Sequence, residues 1–442
     1  MNRKICFIQP TYRDSRGRLL QGNSLLYTSL ALPALSPVVP LDWQKDFCFE
    51  YFSNVNYDND APVIGISTMG YDVLHGSEIA REFKRRGKQV LFGGHQVPFS
   101  RDLLAPISDA FVFGNPSADE LRAILEDAAS HRLAREYQCS QAVDYPLDYS
   151  ILARHPMKFI PLLGSIGCKF NCDFCCTAAV GHGRFHLRNL DAIRVDLEQA
   201  SQLGRYAVFV DSNLYNDRDH LLSILSSLQQ LPTRFRWGAQ ATIEIGDDTE
   251  VLQRLRAAGC IVLLLGLETL SQSNVDGLNK RLDVRQHAAR LQRIQAAGIA
   301  VGAYFILGLD DDTSATFDQT FDFIHESRIA LPILNLLLPA PGTRTFDKLQ
   351  RQGRLLMEDS EALLRNNARY ATASSHCLYR PRHLSPAQAE ADFLNLYRRL
   401  TTYREIIWRS LGHRPWLDAI LLGLNLEMRR DFAAMRAAAA QP

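Results

Sequence analysis

No window of the 442-residue chain approaches the roughly 20 consecutive apolar residues that a membrane span needs, and the opening run Ile5 to Ile8 is too short for a signal-peptide core. The expected location is the cytoplasm, with no membrane span. Charge of one sign is also missing. Against 49 Lys and Arg stand 48 Asp and Glu, a net +1, so no global field gathers nucleic acid, and partners have to be argued from local sites. A disulfide framework is absent as well: nine cysteines is an odd count, and Cys6, Cys48, Cys139, Cys260 and Cys377 stand isolated, in the manner of small buried hydrophobes. No G-x-G-x-x-G follows the first strand-like run, which argues against a dinucleotide site.

What is present is a cluster. Cys168-x3-Cys172-x2-Cys175, with Cys176 adjacent, follows an apolar run. Thiolates select zinc, copper(I) or iron and sulfur, and a compact loop can offer three of them to one centre. A closed zinc site needs four ligands, and Cys176 points elsewhere once Cys175 is bound, so zinc requires a distant fourth donor. An iron-sulfur cubane held by three thiolates keeps one iron open.

The length implies two or three domains. Residues 1–142 alternate strand and helix signals, as a doubly wound (Rossmann-like) parallel sheet does. Strands are expected at Lys4 to Gln9, Val63 to Ser67, Gln89 to Phe92 and Ala110 to Phe113, a helix-like stretch at Leu25 to Leu35, and a weak strand at Val38 to Asp42. Ile79 and Phe83 mark the inner face of a helix over 76–86, and Ser117 with Glu120 forms a capping box. In such sheets ligands bind beyond the carboxyl ends of the strands. Here those ends carry Thr68, Met69 and Gly70; Gly93, Gly94 and His95; and Gly114 and Asn115, small residues that admit a large flat ligand or simply make tight turns.

Residues 143–352 offer six strand candidates, Ile160 to Ile166, Tyr206 to Val210, Phe235 to Thr242, Cys260 to Leu265, Ala300 to Leu307 and Leu331 to Leu338, each but the last followed by a helical segment. Six such units make a partial (β/α)6 TIM barrel, whose chemistry sits at the carboxyl ends of its strands. Those ends bring the cysteine loop, Asp211-Ser212-Asn213, Gln240 and Thr242, and Glu268 to one rim. Singly, such carboxylates are more often caps or ion-pair partners. Residues 353–442 form a helical carboxy-terminal extension; Trp408, Trp416, Leu421, Leu422 and Leu424 read as core first and as a substrate wall second.

With Phe174 just before the last cysteine and a six-unit barrel behind it, the loop resembles that of the radical S-adenosylmethionine enzymes. The amino-terminal doubly wound domain resembles the cobalamin-binding domain of their cobalamin-dependent (class B) branch. So do Phe209 to Asn213, Gly266 to Leu270, Pro339 to Thr343 and Gly93-Gly94-His95. The resemblance implies a [4Fe-4S] cluster on Cys168, Cys172 and Cys175, whose open iron chelates S-adenosylmethionine and delivers one electron to yield a 5'-deoxyadenosyl radical. It further implies that Phe174, Asp211, Ser212, Asn213, Gln240, Thr242, Glu268, Phe305 and Ile306 border S-adenosylmethionine. Cobalamin would then lie on the strand-end residues of the first domain. The chain lacks D-x-H-x-x-G, Asp72 to Gly76 having the wrong spacing, so no histidine is expected as a lower axial ligand.

The function so implied is a C-methyltransferase acting on an unactivated carbon of a natural-product, tetrapyrrole or lipid small molecule, served by an electron donor such as flavodoxin or ferredoxin. The catalytic residues stay unassigned. A cyclase or rearrangement enzyme of the same architecture is the alternative, and a non-catalytic metal- or cobalamin-binding regulatory protein is the alternative of another class.

Overall fold

The computed structural model describes residues 2–13, 17–22, 25–70, 72–140, 142–356 and 376–439. They group into two compact units, one of residues 2–166 with 186–208, the other of residues 167–185, 209–356 and 376–439. No described helix is long and apolar enough to cross a membrane.

The first unit is built on a six-stranded parallel sheet in the order β2-β1-β3-β4-β5-β6. Its strands are β1 (Lys4–Gln9), β2 (Gln44–Phe49), β3 (Val63–Ser67), β4 (Gln89–Gly93), β5 (Ala110–Phe113) and β6 (Glu136–Gln138). Its helical pieces are α1 (Ala31–Leu35), α2 (Asp72–Arg85), α3 (Arg101–Leu104) and α4 (Ala118–Ala129). The doubly wound pattern is borne out, and Ile79 and Phe83 of α2 are fully buried in one core with Ile64, Ile66, Val90 and Phe92. The capping box forms: Ser117 N–H donates to Glu120 Oε2 at 2.7 Å and Glu120 N–H to Ser117 Oγ at 3.3 Å.

Two local expectations fail. The helix expected from Leu25 starts only at Ala31, because Leu25 is held in a bridge to Met157. The second strand is not Val38 to Asp42 but β2, an edge strand whose first residues Gln44 and Lys45 are exposed. Lys4 anchors it by donating to Asp46 at 2.9 Å, and Phe7 stacks on Phe47 at 5.8 Å. An edge strand solvated on one side has no apolar run to betray it.

The second sheet holds six strands in the order β14-β13-β12-β11-β10-β7, an open sequential arrangement of the partial-barrel kind. They are β7 (Ile160–Leu162), β10 (Tyr206–Phe209), β11 (Arg236–Ala241), β12 (Cys260–Glu268), β13 (Ala300–Leu307) and β14 (Leu331–Leu336). The single strand expected at Ile160 to Ile166 is in fact two. After β7 the chain breaks at Leu163-Gly164, and β8 (Ser165–Gly167) pairs instead with β9 (Phe185–Leu187) in a two-stranded ribbon. The cysteine loop thus leaves from that ribbon rather than from a barrel strand.

Helices α5 (Cys176–Gly181), α6 (Leu190–Leu203), α7 (Arg218–Gln230), α8 (Thr249–Ala257), α9 (Gln272–Gly277), α10 (His287–Ala296), α11 (Ser314–Glu326) and α12 (Arg344–Arg351) follow in chain order. Side-chain alternation fixes which sheet face is covered. Leu263, Leu265 and Leu267 of β12 are fully buried, and Phe305 of β13 meets Phe323 of α11 edge to face at 6.4 Å, so these point outward to the helices. Val262, Leu264, Gly266, Tyr304, Ile306, Ile333 and Asn335 lie on the other, inner face. Space there is tight enough to need glycine: a Cβ on Gly238 would come within 2.6 Å of Val262 Cγ1.

Beyond α12, the described chain forms three helices, Pro386–Leu400, Tyr403–Ser410 and Pro415–Ala439. The last closes the amino-terminal ends of the strands, where Leu417, Leu421 and Trp416 pack with Ile261, Ala300 and Leu331. Trp416 and Leu421 are therefore core, and Trp408 is largely exposed.

Candidate functional site

Gly167 ends β8 at φ +87, and a Cβ there would lie 2.5 Å from Arg184 O, so only glycine releases the chain into the cysteine loop. All three motif cysteines are free thiols; Cys172 is buried, Cys168 and Cys175 half-buried. Burial pushes the Cys172 thiol up to about 12, against the opposing charge of Lys280, and raises Cys168 as well. Each of the three lies within the electrostatic reach of the others. Loading a metal centre must therefore displace protons. Among the described residues no group of three His, Cys, Asp or Glu side chains is placed to hold a metal ion. A cubane spaces its thiolates around four irons rather than one ion, and the three-thiol donor set fits such a cluster. Cys176 opens α5 and is exposed.

The loop is held from two sides. Asn279 Nδ2 donates to Asn171 O at 3.1 Å, and Asp173 N–H donates to Leu278 O at 3.0 Å. Arg344, the residue after the Pro339 to Thr343 phrase, donates from Nε to Asp173 Oδ1 at 2.7 Å and from Nη1 to Asn171 Oδ1 at 3.1 Å. At the loop entrance Asn216 accepts the Lys169 N–H at 3.0 Å and donates to Gly167 O at 3.2 Å. Asn213 Nδ2 donates to the same Asn216 oxygen at 3.2 Å, while its own Oδ1 accepts the Thr242 N–H at 3.0 Å. A pair of asparagines thus ties the ends of β10 and β11 to the cysteine loop.

Several residues expected to border S-adenosylmethionine lie in or beside this network. Asn213 is buried and its amide is engaged with the scaffold on both sides of the loop entrance. Asp211 is buried beside it and has partners of its own. Ser212 is exposed, its hydroxyl 3.2 Å from that of Thr177 in α5. Thr242 donates its hydroxyl to Glu244 at 3.2 Å. Gln240 is half-buried on the inner face of β11, and its amide has no hydrogen-bond partner among the described residues, which leaves it open to a ligand. Glu268 is buried and paired with Lys280. The Phe305 side chain points away, leaving Ile306 on the inner face, and Phe174 is half-buried within the loop. Lys280, Asn216, Asn279 and Arg344 were not anticipated from the sequence; only the nearness of Arg344 to a quoted phrase could have hinted at one of them.

In the first unit, the ends of β3 and β4 are stitched together. Thr68 N–H donates to Gly93 O at 2.9 Å and Gln96 N–H to Thr68 O at 3.3 Å. Gly94 sits at φ +104, where a Cβ would overlap Thr68 O. Asp72, buried and pushed by that burial up to about 6, accepts the N–H groups of Met69 at 3.0 Å and Gly70 at 2.7 Å. Met69 and His95 remain exposed, Gly114 turns at φ +88, and Asn115 N–H donates to Ser140 O at 2.7 Å. Thr68 Oγ1 is buried with no hydrogen-bond partner in the described structure. An orphan hydroxyl beside a backbone cradle fits a large ligand rich in amide groups, as cobalamin is. Gly94→Ala and Asp72→Ala both open this stitch; each is expected to destabilise by about 1–3 kcal/mol and to speed hydrogen exchange at Met69 and Gly70, leaving exchange in the second unit unchanged.

Residues 163–324 match the Radical SAM superfamily. The chain is 26% identical to the bacteriochlorophyllide d C-8(2)-methyltransferase of Chlorobaculum tepidum, with 86% of this chain and 87% of that protein aligned. It is 29% identical to the hopanoid C-2 methylase of Rhodopseudomonas palustris, over 92% of this chain and 86% of the relative. Among solved structures, the radical S-adenosylmethionine methyltransferase TsrM from Kitasatospora setae, with cobalamin and a [4Fe-4S] cluster bound, superposes with a TM-score of 0.67. That match covers 80% of this chain and 78% of the other; at 15% identity it speaks for a shared fold.

Proposed function

We propose that this chain, an enzyme with a radical S-adenosylmethionine domain at residues 163–324, is a cobalamin-dependent C-methyltransferase acting on an unactivated carbon of a small molecule. The observation that carries this is the three-thiol loop inside the matched segment, in a chain aligned over most of its length with two proteins named for C-methylation. We assign residues 1–142 to cobalamin, 143–352 to the radical chemistry and 353–442 to the helical extension.

When bound, the cluster and S-adenosylmethionine supply a 5'-deoxyadenosyl radical, and cobalamin carries the methyl group. The chain's own contribution is placement. Cys168, Cys172 and Cys175 hold the cluster, the Asn213–Asn216 pair and Arg344 hold their loop, and Gln240, Ser212 and Ile306 border S-adenosylmethionine. Thr68 to Gly70, Gly93 to His95 and Gly114-Asn115 would receive the corrin. The inner-face residues Leu264 and Ile333, half-buried, and Ile306, buried, favour an apolar substrate and exclude water around a reactive radical. Tetrapyrroles, lipids and apolar natural products all meet that description. A flavodoxin- or ferredoxin-type donor in the cytoplasm would provide the electron.

The test is product analysis with methyl-labelled S-adenosylmethionine and candidate substrates of those classes. Label is expected in the product; a turned-over product carrying none would replace methyl transfer by cyclisation or rearrangement.

A further inference from the structure

Glu268 and Lys280 form an ion pair whose side chains are only 9 and 10% exposed. Lys280 Nζ also donates to Gly266 O at 3.0 Å, and the pair rests directly on Gly266, where a Cβ would lie 2.6 Å from that nitrogen. Glu268 reaches this position from a left-handed backbone at φ +66, an unfavourable conformation for a residue with a side chain. Lys280 in turn is fixed by its backbone, its N–H bonded to Val275 O at 3.1 Å and its carbonyl to Leu282 N–H at 2.8 Å. The two residues before it, Leu278 and Asn279, make hydrogen bonds to Asp173 and Asn171, the neighbours of Cys172 on either side. One short segment therefore both grips the cysteine loop and carries a buried cation beside it.

We propose that Lys280, held by Glu268, is a positioning residue that sets the reduction potential of the cluster bound at Cys172. This rests on the cluster assignment above. Reduction adds one electron, hence one negative charge, and a fixed cation in a water-poor site favours that state with little screening by salt. Net charge near a cluster is one of the quantities that sets its potential. Glu268 partly cancels the cation, so the two partners act with opposite sign.

The experiment is an EPR-monitored potentiometric titration of the full chain, reconstituted anaerobically with iron and sulfide, without S-adenosylmethionine. Lys280→Met is expected to lower the reduced-to-oxidised ratio at a fixed poise about tenfold, which for a one-electron couple is about 59 mV. Glu268→Gln is expected to move the midpoint the other way, and Lys280→Arg to stay near wild type. A purely structural role would lower iron content in all variants without opposite shifts in potential. Unmoved midpoints, or Met and Gln variants shifting in the same direction, overturn the inference and leave the function standing. Should Lys280→Met fail to load, Glu268→Gln decides alone, and no positive shift there overturns the inference. A wild-type chain that loads no cluster overturns the function and this inference together.

Discussion

Cys172→Ala is expected to abolish formation of 5'-deoxyadenosine and to leave the reconstituted chain with far less than the about four irons of a cubane. Of the three motif thiols it is the buried one, so solvent has the least opportunity to supply a substitute ligand. Its neighbours Asn171 and Asp173 are tied to Leu278, Asn279 and Arg344, so the backbone around the missing sulfur keeps its shape and the defect is chemical. Far-UV circular dichroism and the melting temperature of the metal-free variant should match those of the metal-free wild type. Cys176→Ala, by contrast, should retain iron and turnover, since Cys176 heads α5 and lies outside the three-thiol motif. Iron and sulfide analysis together with product chromatography checks both. A Cys176→Ala variant that loses iron as Cys172→Ala does would make the adjacent cysteine a ligand.

Asp196→Ala should be the most destabilising single change in the first unit. Arg188 is completely buried on α6's leading side and bonds Asp196 at 2.7 Å. Its remaining donors satisfy Val143 O at 2.8 Å, Leu163 O at 2.9 Å and Tyr145 O at 2.8 Å, while Asp196 accepts the Leu147 N–H at 2.7 Å. This one pair fastens the segment after the first sheet, the break after β7 and helix α6 to each other. Removing one partner leaves a buried, uncompensated charge and costs about 3–5 kcal/mol. In a domain of this size that lowers the melting temperature by on the order of 10 °C. Burial raises the Asp196 pKa even with Arg188 beside it, which shows how much desolvation the pair sustains. Joint replacement, Arg188→Met with Asp196→Leu, should recover only part of the loss, because three carbonyls stay without a donor. Thermal melts of the three proteins decide this; full recovery by the double variant would mean the carbonyl bonds contribute little.

The parts of the fold that rest on buried repetition were legible in the sequence. Strands β1, β3, β5 and β13 are short apolar runs, and they form at the residues the runs mark. Edge strand β2 and the short β6 were not legible, because a strand solvated along one side has no such run. The break at Gly164 was missed for another reason: Ile160 to Ile166 is mostly apolar, and periodicity cannot reveal that the chain changes partner within it.

At the candidate site, spacing alone singled out the three thiols, and all three are free of disulfides in the structure. The polar residues around them are a different matter. Asn213 and Glu268 stand at strand ends as expected, yet each is occupied by a partner distant in sequence, Asn213 by Thr242 and Glu268 by Lys280. Lys280 lies in Asn279-Lys280-Arg281, which as sequence is an ordinary charged turn. Only the backbone bonds of Leu278 and Asn279 to the cysteine loop turn it into part of the site.

The most direct test of the account is reduction of the anaerobically reconstituted chain in the presence of S-adenosylmethionine and cobalamin, with chromatography of the nucleoside products. Cleavage to 5'-deoxyadenosine and methionine, at about four irons per chain and lost in Cys172→Ala, is the predicted result. A chain that binds zinc in place of iron, or that carries the cluster and yields no 5'-deoxyadenosine on reduction, would contradict it.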